Sequence, residues 1–258
     1  MGTVQDTASQ PATVDILGIP VTAIELEGLL DRVSRAARQR QPLHLMYLNA
    51  HVANLASRHA ALHRALNRAD LVYCDGAGVR LAARLMGHAL PPRMTGADFI
   101  WDLAARCAAD GLRLYWLGGA PGVARAACVR LQSHLPGLIV AGSHHGMFSK
   151  TGSSSRRVLD RIEAARPDVL LVGMGSPAQE LWVDRHRSRL AAAVVWCIGA
   201  TADFIVGRQT RGPRWMLDHG LEWLARLASE PRRLFARYVV GNPRFIARVL
   251  GDRLRGKR

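Results

Sequence analysis

Pro167-Asp168-Val169-Leu170-Leu171-Val172-Gly173-Met174-Gly175-Ser176-Pro177-Ala178-Gln179-Glu180 is the stretch on which the fold turns. Asp168 to Val172 is an apolar run of strand length with no polar alternation, which suits a strand covered on both faces. Gly173 and Gly175 break the run, and a helical pattern follows from Gln179 to Leu190. A second unbroken run, AVVWCI from Ala193 to Ile198, then predicts another buried strand. Strand, glycine turn, helix and strand in this order make a βαβ unit, and βαβ units build parallel sheets.

The same alternation extends toward the N-terminus. Leu112 to Leu117 (LRLYWL) reads as a strand, Gly118 to Gly122 as a glycine loop and Val123 to His134 as a helix. Leu138 to Ala141 is a further strand, and Ser153 to Ala165 a helix that its serines are expected to cap. Val14 to Val21 reads as a hairpin turning at Gly18 and Pro20. A helix with an apolar stripe of Ile24, Leu26, Leu29, Leu30 and Val33 comes next. Leu43 to Leu48 is a strand, Ala50 to Asn67 one amphipathic helix, Leu71 to Cys74 a short strand and Ala77 to Met86 a helix. The loop Pro91 to Gly96 leads into a helix carrying Asp98 in its first turn. These elements predict an α/β fold with a Rossmann-like, largely parallel sheet flanked by helices.

Beyond Asp203 only helical patterns remain. Pro213, Pro231 and Pro243 stand where helices can start. The chain therefore divides into a flexible N-terminus over 1–12, a core over 13–206 and a basic helical appendage over 207–258. Of 35 basic residues only Lys150 and Lys257 are lysine, against 20 acidic residues. The appendage holds 13 basic and 4 acidic residues, a net of +9, and the preceding 206 residues hold the other +6. Such a field gathers anions: phosphates, nucleic acid or lipid headgroups. In the appendage Leu224, Leu227, Phe235, Tyr238 and Val239 fall roughly on one side, with Arg226, Arg232, Arg233, Arg237, Arg244 and Arg248 on the other. Trp215, Trp223, Phe235, Tyr238 and Phe245 add aromatic residues of the kind that settle at a membrane interface. An ordinary exterior helix packed on the core is the alternative.

Cys74, Cys107, Cys128 and Cys197 form no CxxC pair and show no zinc spacing, so they read as buried free thiols of a reducing compartment. No apolar run approaches the roughly 20 residues that span a bilayer, and no signal segment opens the chain. A cytoplasmic protein, or one lying on the inner face of a membrane, is the expectation.

In open sheets of this type ligands bind beyond the carboxyl ends of the strands. Tyr47-Leu48-Asn49, Asp75-Gly76-Ala77-Gly78, Gly118-Gly119 and Gly173-Met174-Gly175 all occupy such ends. The two glycine loops precede helices, whose amides can hold phosphate oxygens; glycines that merely make the turn are the alternative. A nucleotide-cofactor oxidoreductase fits poorly, because GGAPG is not GxGxxG and no acidic residue closes the next strand. P-loop spacing is absent too. Asp75, a carboxylate at a strand tip among glycines, is the candidate general base, with a helix cap as its alternative role. Arg93 can pair with a diphosphate, Gln179 can bond a sugar hydroxyl, and Asp203 a ribose or base. His144 and His145 lack metal partners at ligand spacing.

Asn49-Ala50, DGAGV (Asp75 to Val79), RMTGAD (Arg93 to Asp98), LGGAPGVA (Leu117 to Ala124), HHGMF (His144 to Phe148), PDVLLVGMGSPAQELW (Pro167 to Trp182) and GLEWLARLASEPRRLFARYVVGNPRF (Gly220 to Phe245) together resemble the WecG/TagA/CpsF glycosyltransferases. The match runs from about Val14 onward, in the family's order and spacing. The resemblance implies an inverting hexosyl or N-acetylhexosaminyl transfer, of N-acetylmannosamine or glucose type. The donor would be a UDP-sugar and the acceptor a sugar on polyprenyl diphosphate, in surface polysaccharide synthesis. It implies Asp75 as base, Arg93 and Gln179 at the substrate, and Asn49 and Asp203 on the nucleotide side. It also implies that Arg226, Arg233 and Arg237 reach the diphosphate, and that the appendage seats the enzyme on the anionic cytoplasmic membrane surface. Tyr47 departs from the threonine common in the family, which puts the sugar pocket's preference for N-acetylmannosamine in doubt. With no DxD pair and arginines to stabilise the leaving group, the expectation is a reaction with neither metal nor other cofactor. Nucleic acid is not expected as a partner, although a non-catalytic basic nucleic-acid-binding protein is the rival class; self-association is left open.

Overall fold

The computed structural model describes residues 11–209, 212–213, 216 and 221–255, apart from the side chains of Glu222 and Arg233. Two short strands, β1 (Thr13–Asp15) and β2 (Pro20–Thr22), pair antiparallel. Their turn runs over Leu17 and Gly18, both at positive φ, so Pro20 lies in the second strand rather than in the turn. Helix α1 (Leu26–Gln39) follows, burying Leu29, Leu30 and Val33.

The central sheet has six strands: β3 (Leu43–Leu48), β4 (Leu71–Cys74), β5 (Arg113–Gly118), β6 (Ile139–His144), β7 (Val169–Gly173) and β8 (Val194–Cys197). Their order is β4-β3-β8-β7-β5-β6, and every neighbouring pair is parallel. The expected Rossmann-like sheet is present. Strands β3, β7 and β8 are buried along their whole length, as their unbroken apolar runs require. Edge strand β6 is only half-buried and continues past Ala141 to His144.

The connecting helices are α2 (Ala50–Ala56), α3 (Ala60–Arg68), α4 (Ala77–Leu85), α5 (Gly96–Ala109), α6 (Val123–His134), α7 (Gly152–Ala165), α8 (Ala178–His186) and α9 (Thr201–Ile205). The single helix expected over Ala50 to Asn67 is two, broken at Ser57–His59. The serines of α7 do not cap it either: the Ser155 hydroxyl accepts from Trp182 Nε1 at 2.8 Å and sits 3.2 Å from His186 Nε2. All four cysteines are free and buried, and burial pushes the Cys74, Cys107 and Cys128 thiols up to about 12.

The appendage forms α10 (Glu222–Ser229), α11 (Pro231–Phe235), a π-turn (Ala236–Val240) and α12 (Gly241–Arg255). Pro231 opens α11, whereas Pro243 lies within the first turn of α12. Helix α12 packs on α2 and α4. Phe245 and Val249 are fully buried there, Asn54 Nδ2 donates to Gly241 O at 2.7 Å and Arg248 donates to Asn54 Oδ1 at 2.9 Å. Two readings therefore change. Phe245 belongs to the core rather than to an interface, and Arg248 is bound to α2. Trp215 lies outside the described residues. Among the described residues no helix is long and apolar enough to cross a membrane.

Candidate active site

The carboxyl ends of β3, β4 and β8 open into a cleft of about 1540 Å³. Its floor comes from the core and one wall from the appendage, through Trp223, Arg226, Arg237, Tyr238 and Phe245.

Asp75 stands at the tip of β4. Its backbone N–H donates to Leu48 O at 2.9 Å, which extends the β3–β4 ladder by one residue and fixes where the side chain starts. Asn49, just past β3, holds the carboxylate itself. Its Oδ1 accepts from Val52 N–H at 2.9 Å, capping α2, so its Nδ2 is left to donate to Asp75 Oδ2 at 2.8 Å. One asparagine thus serves a helix cap and a carboxylate together. The cap residue of α4 is Gly76, at φ 104, a conformation only glycine adopts readily. Asp75 is therefore not at the cap position, and its carboxylate lines the cleft.

Arginines share the cleft with this acid. Arg93 and Asp98 line the cleft 4.0 Å apart, and Asp98 Oδ2 also accepts from the Thr95 N–H and hydroxyl at 3.1 and 2.7 Å. From the appendage, the Arg226 guanidinium lies 4.6 Å above the Phe204 ring and that of Arg237 lies 5.3 Å from the Tyr238 ring centre. Arg237 Nε is buried with no hydrogen-bond partner among the described residues. His51 lines the same space, and burial together with the Arg237 guanidinium holds its imidazole down at about 4. It is neutral where the arginines are charged.

Beneath the floor lies a buried polar network. Gln179 and Glu180, at the start of α8, are fully buried. Gln179 Nε2 donates to Tyr47 Oη at 3.3 Å and to Glu180 Oε1 at 2.7 Å, while its Oε1 accepts from Gly199 N–H at 3.2 Å. Ser176 Oγ donates to Glu180 Oε1 at 2.7 Å and lies 3.3 Å from Tyr47 Oη. Burial raises Glu180 above the usual carboxylate range. Burial, followed by the charges of Glu180 and Asp75, likewise pushes the Tyr47 phenol upward.

The expected site residues are therefore gathered unevenly. Tyr47, Asn49, Asp75, Arg93, Gly175, Arg226 and Arg237 all line the cleft. Gln179 supports it from below. Asp203 sits in α9, whose Thr201 and Phe204 line the cleft although Asp203 does not, and the Arg233 side chain lies outside the described residues. Gly118, Gly119 and Gly173 do not line the cleft, and close backbone packing accounts for two of them. A Cβ on Gly118 would stand 2.4 Å from Gly173 O, and one on Gly173 would stand 2.4 Å from Gly199 O. Both glycines let neighbouring strand ends approach. Sequence reasoning passed over Arg80 and Arg84, which line the cleft from α4, although their spacing of four puts them on one helical face. It gave Ser176 and Glu180 no role of their own, although both stand in the stretch that follows the strand ending at Gly173. Among the described residues no group of three or more His, Cys, Asp or Glu side chains could hold a metal ion.

Known proteins give this geometry a context. A bacterial N-acetylglucosaminyldiphosphoundecaprenol N-acetyl-beta-D-mannosaminyltransferase from Bacillus spizizenii is 27% identical over 212 residues, spanning 82% of this chain and 80% of the relative. Enzymes of the same name from Staphylococcus aureus strains MRSA252 and MW2 are 26% identical over 228 residues, 88% of either chain. The family description "Glycosyl transferase WecG/TagA/CpsF family" matches residues 14–258. With that match over almost its whole length, the chain belongs to the WecG/TagA/CpsF family and is a glycosyltransferase.

Proposed function

We propose that the enzyme transfers a hexose or N-acetylhexosamine from a UDP-sugar to a sugar carried on polyprenyl diphosphate, with inversion at the anomeric carbon. The observation that carries this reading is Asp75, held by Asn49 at 2.8 Å on the floor of a cleft whose wall contributes Arg226 and Arg237. The relatives' printed names support the polyprenyl-linked acceptor.

In the reaction the Asp75 carboxylate accepts the proton of the acceptor sugar's hydroxyl. The freed oxygen attacks the anomeric carbon from the face opposite the nucleotide. The bond from that carbon to the diphosphate oxygen breaks, and its electron pair leaves on UDP. General-base help of this kind is worth roughly 10²- to 10⁴-fold in rate. Arg93, Arg226 and Arg237 stabilise the charge that grows on the leaving diphosphate, in place of a metal ion. Glycosyl transfer gathers two anionic ligands in one cleft, which explains the arginines that line it beside Asp75 and Asp98.

Its acceptor being a lipid, the enzyme works on the cytoplasmic face of the membrane. Exposed Phe235, Val239, Val240 and Leu254 in the appendage, interspersed with exposed Arg232, Arg244, Arg253 and Arg255, support docking there. Incubation with a panel of UDP-sugars and a short-chain polyprenyl-diphosphate sugar tests the reading. Transfer from one or a few donors is expected; none from any donor, with the protein folded, would refute it.

A further inference from the structure

The network beneath the cleft fixes where each of its protons lies. Gly199 N–H can only donate, so the atom of Gln179 that meets it is Oε1 and the amide nitrogen faces Tyr47 and Glu180. Both amide protons are thereby spent. Glu180 Oε1 receives two hydrogen bonds, from Gln179 and from Ser176. As a carboxylate Glu180 can only accept, so the one proton of Ser176 is committed to Oε1, while Oε2 meets no partner.

Only one assignment is left for the 3.3 Å contact between Tyr47 Oη and Ser176 Oγ. Ser176 has no second proton, so Tyr47 donates. The Tyr47 oxygen accepts from Gln179 and keeps one lone pair, and the residue lines the cleft. Gly199, at φ +61, gives that hydroxyl room, for a Cβ there would stand 3.0 Å from it.

We propose that this network turns the Tyr47 proton inward, so that Tyr47 meets a bound sugar only as a hydrogen-bond acceptor and selects a donating group, a hydroxyl or an acetamido N–H, at the ring position it touches. Tyr47 is then a specificity-determining residue, and Gln179, Ser176 and Glu180 are positioning residues that act through it. The inference rests on the glycosyltransferase reading above, because it needs a sugar beside Asp75. Both the transferred sugar and the acceptor sugar meet there, and both carry such groups.

Binding of fluorodeoxy sugars tests it, since fluorine fills the place of a hydroxyl but cannot donate. Calorimetry would follow UDP-sugars fluorinated at each ring position in turn. A parallel arm would use a short-chain polyprenyl-diphosphate sugar fluorinated in the same way. The wild type should lose about tenfold or more in affinity at one position of one ligand. Loss in the first arm assigns Tyr47 to the transferred sugar, and loss in the second to the acceptor. Tyr47→Phe should bind the parent ligand more weakly and show no loss with the fluorinated one. Ser176→Ala frees the Tyr47 proton to face the cleft and should also shrink the loss, with the fold intact by circular dichroism. An equal loss in wild type and Tyr47→Phe at every position would overturn the inference, as would an undiminished loss in Ser176→Ala. If the wild type binds neither parent ligand, the functional reading fails and takes this inference with it. If it binds them without any Tyr47-dependent loss, this inference alone fails.

Discussion

At the scale of single residues the cleft separates its charges by environment. Asp75 keeps its place through an asparagine that also caps a helix, so its carboxylate and that backbone cannot move independently. His51 is held neutral by burial and by Arg237. Its imidazole falls from the ordinary 6.5 to about 4, so between these values the unfolded chain takes up a proton that the folded protein does not. Stability should therefore be whole above pH 6.5 and decline as pH falls toward 4. Thermal melts across that window should show His51→Gln with a shallower decline than wild type; parallel curves would mean that His51 does not contribute. The acid at a strand tip followed by glycines was readable from sequence, though a helix cap was the other role open to it. Gln179 was read as a side chain for a sugar hydroxyl, whereas it is fully buried and bonded within the protein. Two of its three bonds depend on Tyr47 and Gly199, far away in the chain.

At the scale of elements, the strand ends decide the geometry of the floor. Gly173 closes β7 against β8, and a Cβ there would meet the Gly199 carbonyl at 2.4 Å. Gly173→Ala should push these strand ends apart, costing about 1–3 kcal/mol in denaturant unfolding and most of the activity. Unchanged stability would show that the loop absorbs the methyl group. Every strand of the sheet could be seen in the sequence, most clearly where a buried run is apolar throughout; half-buried β6 runs three residues beyond its apolar stretch. The break at Ser57–His59 could not, for no glycine or proline marks it; there Asn54 and Ser57 instead bond Gly241 and Arg248 of α12. Phe245 shows the same limit. Periodicity identifies an apolar face, but only packing tells whether core or lipid covers it.

At the scale of the whole molecule, the appendage forms part of the cleft as well as a basic surface. It is anchored to the core through Phe245 and Val249 and brings Arg226 and Arg237 into the wall. Truncation after Gly207 should therefore lower transfer to a soluble short-chain acceptor by roughly 100-fold or more, by loss of leaving-group stabilisation. A truncated core as active as the full chain would reduce the appendage to an anchor. The central claim, a cleft in which Asp75 removes the acceptor's proton while the arginines hold the nucleotide, is met most directly by one comparison. Transfer rate and UDP affinity would be measured side by side for wild type and Asp75→Asn. The expected result is a fall in turnover of roughly 10²- to 10⁴-fold with UDP affinity nearly unchanged. Turnover close to wild type in Asp75→Asn would contradict it.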